Sequence, residues 1–123
     1  MNYGYQKTVK RSFEDVDGAL RNALMDVGFG IITEIDVQKT FKEKLDIDYI
    51  KYRILGACNP TLAKQALDHQ PEVGMLLPCN VIFWENEDGT VTISAVDAEQ
   101  QLKATDQEDL VQLGRDVDGL LRQ

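Results

Sequence analysis

Residues 80–85 and 90–96 constrain the fold of this chain more than any other part of its sequence. Both segments are rich in β-branched and aromatic side chains, which favour strands, and the four residues between them end in Asp88-Gly89. An Asp-Gly pair readily adopts the positive φ angles that a tight hairpin turn needs. The sequence therefore predicts an antiparallel hairpin, which excludes a regular doubly wound fold because that fold repeats parallel βα units.

The part of the chain before the hairpin alternates single strands with amphipathic helices. Ser12, Asp36 and Asn59 each stand at an N-cap position before a helical apolar pattern. Pro60 suits the first position of the third helix, and Gly28 suits the left-handed C-cap of the first helix. We predict the intervening strands at residues 4–10, 29–35 and 52–57.

The elements after the hairpin complete an α+β order. A short helical turn is expected at Leu102, and a last helix that starts near Asp106 is predicted to bury Leu110, Leu113, Val117 and Leu121. The sequence contains no linker, internal repeat or low-complexity segment, so residues 1–123 are predicted to form a single domain. The predicted fold is α+β, with a mixed, mainly antiparallel sheet covered by helices.

The net charge of the chain is negative and is concentrated in its last third. Residues 1–84 carry 10 basic and 11 acidic side chains, whereas residues 85–123 carry 3 basic and 10 acidic ones. This acidity would repel phosphate backbones, and the sequence has no basic stripe interleaved with aromatic residues. A nucleic-acid partner is therefore not expected.

The apolar segments of the chain are short. None approaches the roughly 20 residues that cross a bilayer, and the first residues lack the apolar core of a signal peptide. We therefore expect a cytoplasmic protein without a membrane partner, whose thiols stay reduced unless they are catalytic.

Two Cys-Asn pairs mark the candidate functional site. Each pair has a proline beside it and lies at the junction of an apolar segment, as Cys58-Asn59-Pro60 and as Pro78-Cys79-Asn80. Two similar polar dipeptides at such junctions indicate one composite site built from two strand ends. The four Cys and Asn residues are the predicted ligand contacts.

The segments around these pairs also carry a family resemblance. In chain order they read YGYQKTV, GFGIITEIDVQKTFKEKL, YRILGACNPTLAKQAL, PEVGMLLPCNVIFWE and VDAEQQL. Over residues 3 to about 104 the chain resembles domain-of-unknown-function family 302, most specifically in LGACNP and LLPCNV. The resemblance implies a compact α+β fold with a TATA-binding-protein-like strand order, often assembled as a homodimer. It implies no accepted activity.

The two cysteines differ in their predicted surroundings. Cys58 precedes the N-terminus of the third helix, whose partial positive charge favours a thiolate or a bound anion, although a small buried apolar role is equally compatible. Cys79 enters a strand, where it could be a core residue or form a disulfide with Cys58. His69 would lie roughly 15 Å from Cys58 along a regular helix, so the sequence predicts no metal site.

Two charged residues complete the candidate site. Arg53 could bind a carboxylate or phosphate of a ligand through its guanidinium fork, or pair with an acidic residue on the open face of the sheet. Asp97 follows the last strand, where it could orient a proton at the Cys-Asn edge, pair with Arg53, or cap the next helical turn. Gly56 indicates a close approach by a ligand or another backbone, or a bulge.

These patterns leave three hypotheses about function and define no reaction. The first is a homodimeric domain that binds a small molecule or a protein partner near the Cys-Asn pairs, without a cofactor. The second is a thiol, redox or soft-metal function of Cys58 and Cys79. The third is an interaction module in which the Cys-Asn pairs hold strand ends together through side-chain-to-backbone hydrogen bonds.

Overall fold

A computed structural model describes residues 3–103, 111, 112, 114 and 115. Its elements are β1 (Gly4–Val9), α1 (Phe13–Asp26), β2 (Gly30–Asp36), α2 (Val37–Leu45), β3 (Tyr52–Cys58), α3 (Pro60–His69), a 3₁₀ helix (Pro71–Leu76), β4 (Cys79–Glu85), β5 (Val91–Val96) and α4 (Ala98–Leu102). All five predicted strands are present, and the 3₁₀ helix was not predicted. The predicted burial of Leu110, Leu113, Val117 and Leu121 lies outside the described residues.

The five strands form one sheet in the order β1-β5-β4-β3-β2. All four pairings are antiparallel, so the described strands contain no parallel pair. The predicted fold class is therefore confirmed. An irregularity in the register between Ile31 and Thr33 places an extra residue in β2, which is an edge strand. A bulge of this kind bends and twists the strand that contains it.

Helices cover one face of the sheet. Because side chains alternate along each strand, β3, β4 and β5 send every second residue to this face. One core cluster packs α1 onto the sheet and contains Phe13, Val16, Leu55, Phe83 and Val91. A second cluster lies at the cysteine end and contains Leu24, Phe29, Ala57, Cys79, Val81 and Ala98. Burial of these apolar side chains fixes which residues of each strand face the helices.

The predicted helix caps are present. Side-chain oxygens of Ser12, Asp36 and Asn59 accept a hydrogen bond from the backbone N–H three residues later, at 3.1, 2.9 and 3.2 Å. Gly28 follows α1 with a φ of 87°, and Gly89 closes the hairpin with a φ of 85°. Glycine enters this region without steric cost. Local sequence signals therefore set the helix starts and the hairpin turn.

The apolar face of α2 is less buried than its spacing suggests. The helix has no buried residue, and Leu45 is 60% exposed. This helix packs beside β2 and β3, at one edge of the sheet. An edge position offers less apolar surface to cover than the centre of a sheet does. Among the described helices, none is long and apolar enough to cross a bilayer.

Candidate functional site

Both cysteines lie at the same end of the sheet, beside a cavity. Cys58 is the last residue of β3, and Cys79 is the first residue of β4 and the register partner of Ala57. The space that a water-sized sphere can occupy here is about 30 Å³. We call it the cysteine cavity, and its walls are formed by Phe29, Ala57, Cys58, Asn59, Leu62, Ala63, Ala66, Leu77, Pro78, Cys79, Ala98, Gln101 and Leu102.

Local chemistry between β3 and α3 sets one wall of the cavity. Pro60 disfavours a helical conformation at the residue before it, and Asn59 is extended, with φ −94° and ψ 107°. The Asn59 side chain accepts a hydrogen bond from the Leu62 N–H and so caps α3. The helix therefore begins two residues after Cys58 and presents three residues to the cavity, namely Leu62, Ala63 and Ala66.

Asp97 sets the wall formed by α4. Its Oδ1 accepts a hydrogen bond from the Gln100 N–H at 3.1 Å, and its own N–H donates to the Tyr3 carbonyl at 2.7 Å. Gln101 Nε2 donates to the Leu76 carbonyl and ties α4 to the end of the 3₁₀ helix. These contacts hold α4 over the cavity, where it contributes Ala98, Gln101 and Leu102.

The cysteine cavity is mainly apolar. Its polar side chains are the two thiols, Asn59 and Gln101. The part of the chain that the structure describes contributes no Asp, Glu, His, Lys or Arg to its walls. Such a lining can hold an apolar group with a few polar contacts, and it supplies no carboxylate or imidazole for general acid–base chemistry.

The two thiols differ in exposure. Cys79 is 7% exposed and belongs to the core, whereas Cys58 is half-buried. The two residues do not form a disulfide, so that predicted alternative is not what the structure contains. Within the described ranges, no three His, Cys, Asp or Glu side chains are grouped as a metal site would require.

Asn80 faces away from the cysteine cavity. It follows Cys79 in β4, so its side chain points to the opposite face of the sheet, where it is exposed. There it borders a separate groove with Tyr3, Ile82 and Ser94. The structure thus brings together Cys58, Asn59 and Cys79, and it places Asn80 on the other side.

Arg53 lies at the opposite end of β3 from Cys58. The two residues are five positions apart along the strand, which is about 16 Å at 3.3 Å per residue. The Arg53 guanidinium is 3.4 Å from Asp17 and 3.7 Å from Glu14, and it lies over the Phe13 ring. Arg53 thus pairs with acidic residues as expected, but these belong to α1 on the covered face and not to the open face of the sheet. Alternation with Leu55 and Ala57 turns Arg53 toward the helices.

A second guanidinium shares Asp17. Arg21 lies 3.0 Å from Asp17 and 2.8 Å from Glu34, and so links α1 to β2. The hydrogen bond to Asp17 is the main reason that the pKa of Arg21 is raised above its ordinary value. This cluster was not predicted from the sequence, because its members come together only when α1 packs on the sheet. It lies away from the cysteine cavity.

The apolar residues that line the cavity were also not predicted from the sequence. Phe29, Leu77, Ala98 and Leu102 come from four separate parts of the chain. The cap signal at Asp97 could have located α4, but it does not say which strands α4 covers. Asp97 is thus a cap, the third of the roles considered for it, and it shapes the site through α4.

The fold and the cavity together define a class of protein. It is a small α+β domain whose antiparallel sheet is covered by helices on one face and encloses an apolar cavity beside two cysteines. The family model described as "Domain of unknown function DUF302" matches residues 5–123. The chain therefore belongs to this family, and the predicted resemblance is confirmed.

Two further proteins are similar to this chain. The crystal structure of an uncharacterized conserved protein DUF302 from Bacillus stearothermophilus superposes with a TM-score of 0.90, at 24% identity, over 99% of this chain and 94% of that chain. This likeness shows the fold alone. An uncharacterized protein of Aquifex aeolicus (strain VF5) is 28% identical over 91 residues, which is 74% of this chain. The match spans 57% of that relative's length.

Proposed function

We propose that this chain is a homodimeric cytoplasmic binding domain that receives a narrow apolar group of a small molecule in the cysteine cavity. The lining of that cavity supports the proposal. It is mainly apolar, and the described residues give it no carboxylate or amine. Its two side-chain amides are those of Asn59 and Gln101. Apolar pockets with a few polar groups are the usual form of small-molecule sites.

The size of the cavity limits the ligand. A volume of about 30 Å³ has room for about one or two water molecules. A terminal methyl or methylene group can enter without wall movement, whereas a longer alkyl group must displace α3 or α4. Each methylene group removed from water contributes about 0.8 kcal/mol. Affinity should therefore rise with alkyl length for as long as the walls can adjust.

Polar lining groups would contact the other end of such a ligand. Asn59 uses its Oδ1 to cap α3, so the donor that it can offer is its Nδ2 group. Gln101 uses its Nε2 to hold the Leu76 carbonyl, so its Oε1 is the acceptor that it can offer. A donor and an acceptor beside an apolar space suit an alcohol or an amide with an alkyl substituent.

A titration with n-alkyl alcohols, followed by methyl NMR, tests this proposal. We expect the methyl signals of Ala57, Leu62 and Ala66 to shift, with tighter binding for longer alcohols. Ala63→Leu fills the cavity and should weaken binding about tenfold, which corresponds to roughly two buried methylene groups. Ala23→Leu makes the same change on an exposed position of α1 and should have no effect.

Either of two outcomes would overturn the proposal. One is the absence of any shift among the cavity methyl groups at alcohol concentrations that leave the protein folded. The other is equal binding by the Ala63→Leu and Ala23→Leu variants, which would place the alcohol elsewhere on the molecule.

Thiol chemistry is the second candidate, and the position of Cys58 favours it. Cys58 is half-buried, lines the cavity and lies just before the capped N-terminus of α3. Cysteines beside a helix N-terminus are favourably placed for reaction. The two candidates differ in one observable. Binding predicts reversible protection of both thiols by an apolar compound, whereas thiol chemistry predicts covalent modification of Cys58.

A further inference from the structure

The face of the sheet opposite the helices carries no charged residue in the described strands. Its middle row crosses all five strands through register partners, in the order Gln6, Ser94, Ile82, Ile54 and Ile35. We call the residues that share this side of the sheet the uncharged face. Charged residues make up 28% of the chain, so their absence from a whole sheet face is a specific feature. Interface centres are depleted of charge in the same way.

The middle row of the uncharged face lies outside the core that the described helices form with the sheet, although Ser94 within this row is itself buried. The middle row contributes no residue to the core clusters of the molecule. Ile35 is 47% exposed, and Ile54 and Ile82 are half-buried. Three isoleucines therefore lie side by side with incomplete burial, and a further apolar partner would complete it.

An aromatic pair on the same face is held in a fixed position. The rings of Tyr52 and Trp84 are stacked, with centroids 5.8 Å apart and planes 7° apart. Trp84 Nε1 donates to Asn86 Oδ1 at 3.0 Å, and Asn86 Nδ2 donates to Thr92 Oγ1 at 2.9 Å. Because the indole N–H already has a partner, covering Trp84 would leave that donor satisfied. Rigid aromatic side chains also lose little entropy on binding.

The net charge of the molecule indicates which kind of partner can cover the uncharged face. The chain carries a net charge of −8, so two copies repel one another unless they meet through surfaces without charge. In a two-fold interface the same patch faces itself, and any carboxylate near the axis would face its own copy. A basic partner would instead be drawn to acidic side chains, and this face offers none. The uncharged face is therefore suited to a second copy of this chain.

The area of the face is also of the required scale. Five strands that are about 4.8 Å apart and about six residues long cover roughly 24 Å by 20 Å. This projected area of roughly 480 Å² is more than half of the about 800 Å² of accessible surface that a standard interface buries on each partner, so the face would form the centre of such an interface. Sheets commonly pack face to face at about 10 Å.

We propose that two copies of this chain pack through their uncharged faces, sheet against sheet, with the Tyr52–Trp84 pairs inside the interface. This inference rests on the homodimer proposed above and identifies the surface that forms it. The helix-covered faces, with the cysteine cavities, then lie on the outside of the dimer. Each cavity stays accessible to a ligand.

Sedimentation velocity combined with the fluorescence of Trp84, the single tryptophan of the chain, tests this interface. We expect a dimer whose emission shifts to longer wavelength on dilution, as Trp84 becomes exposed. Ile82→Glu buries two opposed carboxylates and should raise the dissociation constant at least about 100-fold. Ile35→Glu, at an exposed position of the same face, should act in the same direction without a risk to folding.

A matched control lies on α1. Met25 is 71% exposed and belongs to the helix that packs on the covered face. Met25→Glu should therefore leave the dimer intact. A wild-type chain that is monomeric at all concentrations would refute both the homodimer and its interface. A dimer that survives Ile82→Glu and Ile35→Glu, with unchanged Trp84 emission on dilution, would refute this interface alone.

Discussion

At the scale of a single residue, Gly56 shows how closely side chains from β2 and from the segment before β4 approach the backbone of β3. A Cβ atom built there would collide with Thr33 Oγ1 and lie 2.7 Å from Pro78 Cγ. Thr33 stands beside the bulge of β2, and Pro78 immediately precedes β4. The close approach that the sequence indicated at Gly56 is thus made by the chain's own side chains. Glycine is required here for space rather than for its backbone angles.

Replacement of Gly56 by Ala should therefore destabilise the protein. We expect Gly56→Ala to lower the free energy of unfolding by about 1–3 kcal/mol, the usual cost of overpacking. Gly18→Ala is the matched control, because no atom lies within 4 Å of a Cβ at Gly18 in the middle of α1. That change should raise the free energy by about 0.5–1 kcal/mol. Urea unfolding measures both, and equal stability of Gly56→Ala and wild type would contradict the steric account.

Residue-level prediction from the sequence succeeded where the signal is local. Asn59 followed by Pro60 predicted a cap, and Asn59 caps α3. The prediction that Asn59 and Asn80 belong to one site is wrong, because consecutive side chains of a strand point to opposite faces of the sheet. Cys79 faces the helices, so Asn80 faces the opposite side of the sheet. The spacing of the motif contains no information about which of the two residues is turned inward.

At the scale of elements, α4 is the wall on which access to the cavity depends. The helix is short, at Ala98–Leu102, and the Asp97 cap and the Gln101 tie hold its ends. Two residues from later in the chain also contact α4. Gly114 lies so close to this helix that a Cβ atom built there would be 2.7 Å from the Ala98 carbonyl oxygen, and Arg115 pairs with Glu99 at 3.2 Å. Loosening of α4 should therefore expose Cys79.

Removal of the Asp97 cap tests this expectation. Asp97→Ala should cost about 0.5–2 kcal/mol of stability and increase the alkylation rate of Cys79, about tenfold for each 1.4 kcal/mol of easier local opening. Asp97→Asn preserves a capping side chain and should behave like wild type. Ser12→Ala removes the equivalent cap of α1 and should lower stability without an increase at Cys79. Equal Cys79 rates in Asp97→Ala and Ser12→Ala would show that α4 does not control access.

The sequence predicts elements better than it predicts their neighbours. Apolar periodicity, caps and the Asp-Gly turn predicted every described strand and α-helix, because these signals act over a few residues. The 3₁₀ helix after Pro71 was missed, since no periodic pattern distinguishes so short an element from a loop. The apolar stripe of α2 predicted a helix correctly, but the edge position that leaves Leu45 exposed depends on the assembled sheet.

At the scale of the whole molecule, we assign a different role to each face of the sheet. The covered face contains the core and, at its cysteine end, the cavity. In the proposed dimer the uncharged face meets a second copy, while the acidic side chains of the described residues lie elsewhere and keep other surfaces apart. The order of the strands, which creates both faces, could not be derived from local patterns, because pairing between distant segments leaves no short-range signal. The family resemblance implied the strand order instead, whereas the antiparallel hairpin of β4 and β5 was predicted from the residues themselves.

The most direct test of the central claim, that the cysteine cavity binds an apolar group, is alkylation of the native reduced protein with and without 1-octanol. Iodoacetamide labelling of Cys58 and Cys79 is quantified separately by mass spectrometry, and the urea-unfolded protein serves as the control. We expect that Cys58 reacts faster than Cys79 and that octanol slows both reactions severalfold in the folded protein, because its alkyl chain covers both sulfur atoms even where it moves α4 outward. Removal of octanol should restore the rates. Folded-state rates that octanol leaves unchanged would contradict the account.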